Sequence, residues 1–167
     1  MEVRIEGIKP IVQRTSYTCG PAALRTIFAH YGVKVSEREL VEEAEITEDG
    51  TGFTQMKQLA RSHGFTFREY RNGTIDDLRR WLLKDSPVLT SIQDYGAPNG
   101  NNGHYVVVVG MSKRYVHLAD PANYYEATRP RFAKQKRMSV ENFTRRWFDV
   151  DDNVVKGWYA ILHPRNV

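Results

Sequence analysis

Residues 104–120 read HYVVVVGMSKRYVHLAD, and this stretch decides the fold. Val106 to Val109 form an apolar, β-branched run of the kind found in a strand covered on both faces. Tyr115 to Asp120 alternates instead, and Met111 to Arg114 suits a turn between the two. The pattern predicts a hairpin whose central strand runs from His104 to Gly110. His104 then meets Asp120 or Pro121 near the open end of the hairpin, where side chains of neighbouring strands lie side by side.

Outward toward the N-terminus the period changes. Leu24, Ile27, Phe28 and Tyr31 recur at helical spacing and predict an amphipathic helix over 21–31, with Pro21 in its first turn and Gly32 at its stop. Ser36-Glu-Arg-Glu39 is a capping box opening a second helix through Ala44. Met56, Leu59, Ala60 and His63 predict a third, ended by Gly64, and Leu78, Trp81 and Leu82 a fourth from Ile75 to Lys84. Strands are expected at 65–70, 87–93 and 157–163, with a short helix near 140–147. Helices thus dominate the first half and strands the second. That segregation predicts an α+β fold, a helical half packed on a C-terminal antiparallel sheet. Neither a repeat nor a linker rich in Pro, Gly or Ser interrupts the chain, so residues 1–167 are expected to form one domain.

Bulk composition narrows the function. Hydrophobic residues make up 41% and charged residues 26% of the chain, the balance of an ordinary globular protein. The one cysteine excludes an internal disulfide and a multi-thiol zinc site. The N-terminus carries no apolar run of signal-peptide length, and no window approaches a membrane span. A soluble, cytoplasmic monomer is expected. The net charge is +4, and the densest basic stretch, residues 129–137, reads as a patch for anionic partners or as a solvated loop. No nucleic-acid motif accompanies it, so no nucleic-acid partner is expected.

Cys19 stands at the start of the first helix, in Tyr17-Thr-Cys-Gly-Pro-Ala-Ala-Leu24. A helix N-terminus favours negative charge, and the thiolate is the nucleophilic form of cysteine. Position alone leaves both a nucleophile and a structural thiol open. Of the five histidines, His30 falls on the same helix about three turns away, roughly 16 Å at 1.5 Å per residue. His63 lies at a helix end, His163 near the C-terminus, and His117 on an alternating strand with its ring expected to be exposed. His104 opens the most apolar strand after Asn99-Gly-Asn-Asn-Gly103, an arrangement expected to leave its imidazole accessible. Asp120 could accept from the second ring nitrogen of His104 and hold its tautomer, or could simply end a strand before Pro121. Gln13 could add a side-chain donor to an oxyanion hole beside the Cys19 N–H, or be an exposed polar residue.

Taken together, Gln13, then Cys19-Gly-Pro-Ala-Ala-Leu, then His104-Tyr-Val-Val-Val-Val, then Asp120-Pro121 resembles the C39-like peptidase family of the papain-like clan. The segment Gly52-Phe-Thr-Gln-Met-Lys-Gln-Leu-Ala-Arg-Ser-His-Gly-Phe65 also matches. The resemblance covers roughly residues 10 to 122. It implies a papain-like cysteine peptidase acting on a peptide or protein through a Cys19 thioester, with no metal or organic cofactor. Leader-peptide processing is one such role. In it His104 carries the proton, Asp120 orients His104, and Gln13 completes the oxyanion hole. Asn102, Gly103 and Gly20 are the expected substrate-binding positions. Thr18 precedes the cysteine where many transporter-linked members carry an acidic residue, and the chain has no phosphate-loop motif. Two other outcomes share this fold, a peptide-binding module without catalysis and an amidase or acyltransferase using the same thioester.

Overall fold

The computed structural model describes residues 2–94, 102–122 and 136–166. Among these, the helices are α1 (Cys19–His30), α2 (Glu37–Glu43), α3 (Phe53–Ser62), α4 (Ile75–Leu83) and α5 (Val140–Arg146). The strands are β1 (Val3–Arg4), β2 (Phe65–Tyr70), β3 (Val88–Gln93), β4 (Gly103–Met111), β5 (Tyr115–Ala119), β6 (Lys136–Ser139), β7 (Phe148–Val150), β8 (Val154–Lys156) and β9 (Tyr159–Pro164).

Local chemistry accounts for the helix boundaries. The Ser36 side chain accepts from the Glu39 N–H at 3.1 Å and caps α2. Thr74 and Asp77 exchange bonds in the same way at the start of α4. Helix α1 begins at Cys19, two residues before the predicted start, so the cysteine belongs to the first turn. No helix of the described residues is long and apolar enough to cross a membrane.

The strands form one antiparallel sheet in the order β2-β9-β3-β4-β5-β6, with β1 also pairing with β4, and a separate β7–β8 hairpin. Its centre is β4, buried from His104 through Met111, beside a wholly buried β3. Helix α1 lies on β4 and presents Ala23, Leu24, Ile27 and Phe28, all without exposed surface. Phe28 stacks on Phe65 at 4.5 Å between ring centres, and Phe53 stacks on Trp158 at 4.1 Å. These pairs join α1 and α3 to the β2–β9 side of the sheet. The result is the expected α+β architecture. Strands β1 and β6 and the β7–β8 hairpin were not legible in the sequence, because each spans four residues or fewer and carries no clear alternation.

One irregularity governs the β4–β5 hairpin. Gly110 pairs with His117, but Val108 pairs with Leu118, so Val109 is an extra residue on β4. Its carbonyl accepts from the Ile5 N–H at 2.8 Å, immediately beyond β1. Gly110 permits this approach, since a Cβ there would lie 2.9 Å from the Val3 carbonyl oxygen.

Candidate active site

Cys19 is partly exposed at the first turn of α1. The hydroxyl of the preceding Thr18 is turned back to Thr15, accepting from the Thr15 N–H at 3.1 Å, and gives the helix no side-chain cap. The first-turn amides therefore keep their capacity for a negatively charged group. Gly20 is buried, and a Cβ at this position would lie 2.9 Å from the Thr51 side chain and 3.0 Å from the Met56 sulfur. Its place in the structure is thus a close contact between α1 and the loop before α3, behind the cleft.

His104 is buried, at 5% exposure, and not accessible as its glycine-rich approach suggested. It lies inside the sheet, facing Asp120 on one side and Cys19 on the other. Its Nε2 bonds Asp120 Oδ1 at 2.7 Å, which leaves Nδ1 uncommitted to the carboxylate. Burial opposes the charged imidazole. Hydrogen bonds to Asp120 and to Cys19, with the attraction of both negative charges, outweigh it and raise the His104 pKa to about 10. Burial pushes Asp120 up, but the His104 bond, the charges of His104 and Lys136 and the Ala122 amide together hold it below the ordinary carboxylate range. The Ala122 N–H donates to Asp120 Oδ1 at 2.8 Å. Lys136 Nζ donates to Asp120 Oδ2 at 3.3 Å and to the Ala122 carbonyl at 3.2 Å. Lys136 was only part of the basic stretch in the sequence; the fold makes it a ligand of the buried carboxylate.

Gln13 reaches this corner through its backbone, whose N–H donates to the Pro121 carbonyl at 2.9 Å. Its side-chain Nε2 donates to the Thr15 carbonyl at 2.7 Å, and its Oε1 is buried without a partner among the described residues. Gln13 is thus held near the Cys19 turn with one amide hydrogen uncommitted.

A cleft of about 500 Å³ opens over Cys19. Tyr17, Thr51 and Phe53 line its helical side, and Ser91, Gly103 and Tyr105 its sheet side. Residues 50–53 border it as well, and of the expected substrate-binding positions Gly103 is in place. Asn102 instead continues the β3–β4 ladder, accepting from the Asp94 N–H at 2.8 Å and donating to Gln93 Oε1 at 3.2 Å. Residues 99–101 and most of the basic stretch lie outside the described residues. The Tyr105 hydroxyl donates to the Thr51 carbonyl at 2.8 Å, and burial with the nearby charges of Cys19 and Asp149 keeps it protonated. Asp149 and Ser91 were missed from sequence. Asp149 opens the acidic run Asp149-Val-Asp-Asp152, and nothing in its spacing ties it to Cys19.

The remaining histidines serve other contacts. His63 bonds Glu43 at 2.9 Å, and His163 bonds Ser86 at 3.0 Å. His117 corrects an expectation: its ring is buried, because β6 pairs along β5 and Arg4 of the N-terminal arm lies against it. Its Nδ1 lies 2.9 Å from the Arg4 guanidinium, and burial followed by that charge lowers its pKa.

A cysteine at a helix start, facing a buried histidine backed by an aspartate, across a helix–sheet cleft, is the arrangement of a papain-like fold. The profile of the peptidase C39 family matches residues 7–150, and the chain belongs to that family. An uncharacterised protein of Methanothermobacter marburgensis is 38% identical over 117 residues, covering 70% of this chain and 74% of that one. The peptidase domain of Streptococcus ComA, a bifunctional ABC transporter of a quorum-sensing pathway, superposes with a TM-score of 0.73 at 24% identity, covering 95% of this chain and 99% of that one. A double-glycine-motif protease of an AMS/PCAT transporter, solved with its leader peptide, gives a TM-score of 0.64 at 19% identity, covering 98% and 99%.

Proposed function

We propose that the chain is a cysteine peptidase that hydrolyses a peptide bond through a Cys19 thioester. The observation that carries this reading is His104, bonded to Asp120 through Nε2, with Cys19 among the groups that raise its pKa to about 10. Membership of the peptidase C39 family supports it.

The chemistry follows from the geometry. With the proton on His104, Cys19 Sγ attacks the scissile carbonyl carbon as a thiolate. The carbonyl oxygen takes up negative charge beside the uncapped first turn of α1, where the Cys19 N–H and the free amide hydrogen of Gln13 are the donors at hand. The carbon–nitrogen bond breaks and His104 gives its proton to the leaving amine. Neutral His104 then takes a proton from water, the hydroxide adds to the thioester, and the carbon–sulfur bond breaks to release the acid and restore the Cys19 thiolate beside protonated His104. Asp120 keeps the imidazole in one orientation throughout and lowers the energy of its charged form. The structural relative solved with a leader peptide supports a peptide segment, such as a leader, as substrate.

The test is alkylation of Cys19 by iodoacetamide across pH, in the wild type and in His104→Ala, alongside cleavage of a peptide library. The expected result is a wild-type thiol that reacts well below pH 8, a marked slowing in the variant, and peptide products ending in a free carboxylate. A thiol that reacts identically in both proteins overturns the pairing and, with it, the peptidase reading.

A further inference from the structure

The cleft is acidic in a chain that is basic overall. Glu48 and Asp49, from the loop between α2 and α3, and Asp149 and Asp151, from the β7–β8 hairpin, border it on its helical and sheet sides. Among the described residues, no lysine or arginine lines it. Several carboxylates elsewhere are paired, among them Glu42 with Arg38, Glu69 with Lys57, Asp76 with Arg79 and Asp120 with Lys136. None of the four cleft carboxylates forms an ion pair among the described residues, despite a net charge of +4.

Asp149 is built in place. Ser91 Oγ donates to its Oδ2 at 2.8 Å, and the Val150 N–H donates to its Oδ1 at 2.8 Å. A Cβ on Gly103 would lie 2.8 Å from the same Oδ1, so the carboxylate borders the backbone that leads into His104. Its charge therefore lines the same cleft as the Cys19 thiol. Glu48 and Asp49 make no side-chain hydrogen bond among the described residues and are open to a ligand.

The site is defined independently of these acids, by the Cys19 thiol, its histidine and a cavity of a size that takes a ligand. What the acids add is the charge of its occupant. Carboxylates lining a concave surface with low-dielectric walls focus a negative potential and raise the local concentration of cations. Among the described residues no three ligating groups converge enough to hold a metal ion. Charges spread over two facing elements suit a cation carried on an extended chain.

Resting on the peptidase reading, we propose that the cleft selects a peptide carrying a lysine or arginine side chain next to the bond that is cut. Asp149 receives the cation nearest the bond, and Glu48, Asp49 and Asp151 draw in basic residues flanking it.

The test separates binding from cleavage. Full-length Cys19→Ala is titrated with fluorescein-labelled glycine–alanine octapeptides carrying one arginine at each position in turn, each against its citrulline twin, which keeps the shape and removes the charge. The best arginine peptide is expected to bind about tenfold more tightly than its twin at low salt, the scale of one partly screened charge contact. The gap should narrow to about twofold at 0.5 M salt and close in Glu48→Gln/Asp149→Asn/Asp151→Asn. Equal binding of the twins, or no binding of either, overturns the proposal. The same peptides given to the wild type keep the two readings apart. Cleavage without charge preference retains the peptidase and discards the cationic substrate. Preferential binding without cleavage does the reverse.

Discussion

Asp120 and His104 face each other at 2.7 Å only because Val109 is an extra residue between them along the hairpin. At its turn end the hairpin pairs Gly110 with His117; continued without a break, that register sets Asp120 opposite Val107, on the face away from His104. The bulge restores the pairing of Val107 with Ala119, and the next step sets Asp120 opposite Val106, on the face of His104. The two side chains are then diagonal neighbours, within reach of a long side chain.

Gly110 is accordingly a sensitive position. In Gly110→Ala the new Cβ would meet the Val3 carbonyl at 2.9 Å and the Arg4 Cα at 3.3 Å, so β1 must move. A loss of about 1–3 kcal/mol of stability in urea unfolding is expected. Cleavage should fall by more than the folded fraction does, because the His104–Asp120 register shifts with it. Unchanged cleavage per folded molecule would show that the bulge does not set the pair.

Asp120→Asn removes the charge that holds a proton on His104. In the wild type the imidazolium that protonates the leaving amine is lost only as pH rises through about 10. The alkaline limb of kcat/KM should therefore move to lower pH in the variant, and the rate at neutral pH should fall on the order of 10²–10⁴-fold. The pH profile of peptide cleavage measures both. An alkaline limb that stays in place argues against Asp120 as the partner that sets it.

The same pair links stability to pH. His104 is raised from 6.5 unfolded to about 10 folded, so its contribution is complete below about pH 6.5 and disappears as pH climbs through about 10. Asp120 is depressed when folded, so its contribution is present above about pH 4 and is lost as pH falls through its folded value. Unfolding free energy of the wild type should decline between pH 7 and 10, and that of His104→Gln should be flatter across the same window.

Gln13→Ala tests the oxyanion role apart from the pair. Peptide cleavage should drop by about 10²–10³ if the amide stabilises the tetrahedral intermediate. Alkylation by iodoacetamide, which forms no oxyanion, should proceed at the wild-type rate. Slowing of both would assign Gln13 to the packing around Pro121 instead.

Lys136→Met keeps the length of the side chain but removes its charge from Asp120 Oδ2. A loss of up to about 1 kcal/mol is expected, as for a partly exposed pair. The alkaline limb should move upward slightly, since the unopposed carboxylate holds the His104 proton more tightly.

The sequence by itself determined whatever depends on near neighbours. The helical spacing of Leu24, Ile27, Phe28 and Tyr31, the Ser36 cap and the valine run of β4 each act within a few residues. So does the placing of Cys19 at a helix start and of His104 and Asp120 at the end of one hairpin. Tertiary structure decided which face each side chain took. A single inserted residue, anchored by an N-terminal arm more than a hundred positions away, reverses the facing of Asp120, and no local propensity records it. The burial of His104 and His117, the Lys136 contact and the meeting of Asp149 with Gly103 arise in the same way. They join segments far apart in the chain, and their free energy comes from packing and buried charge that exist only once the sheet has closed.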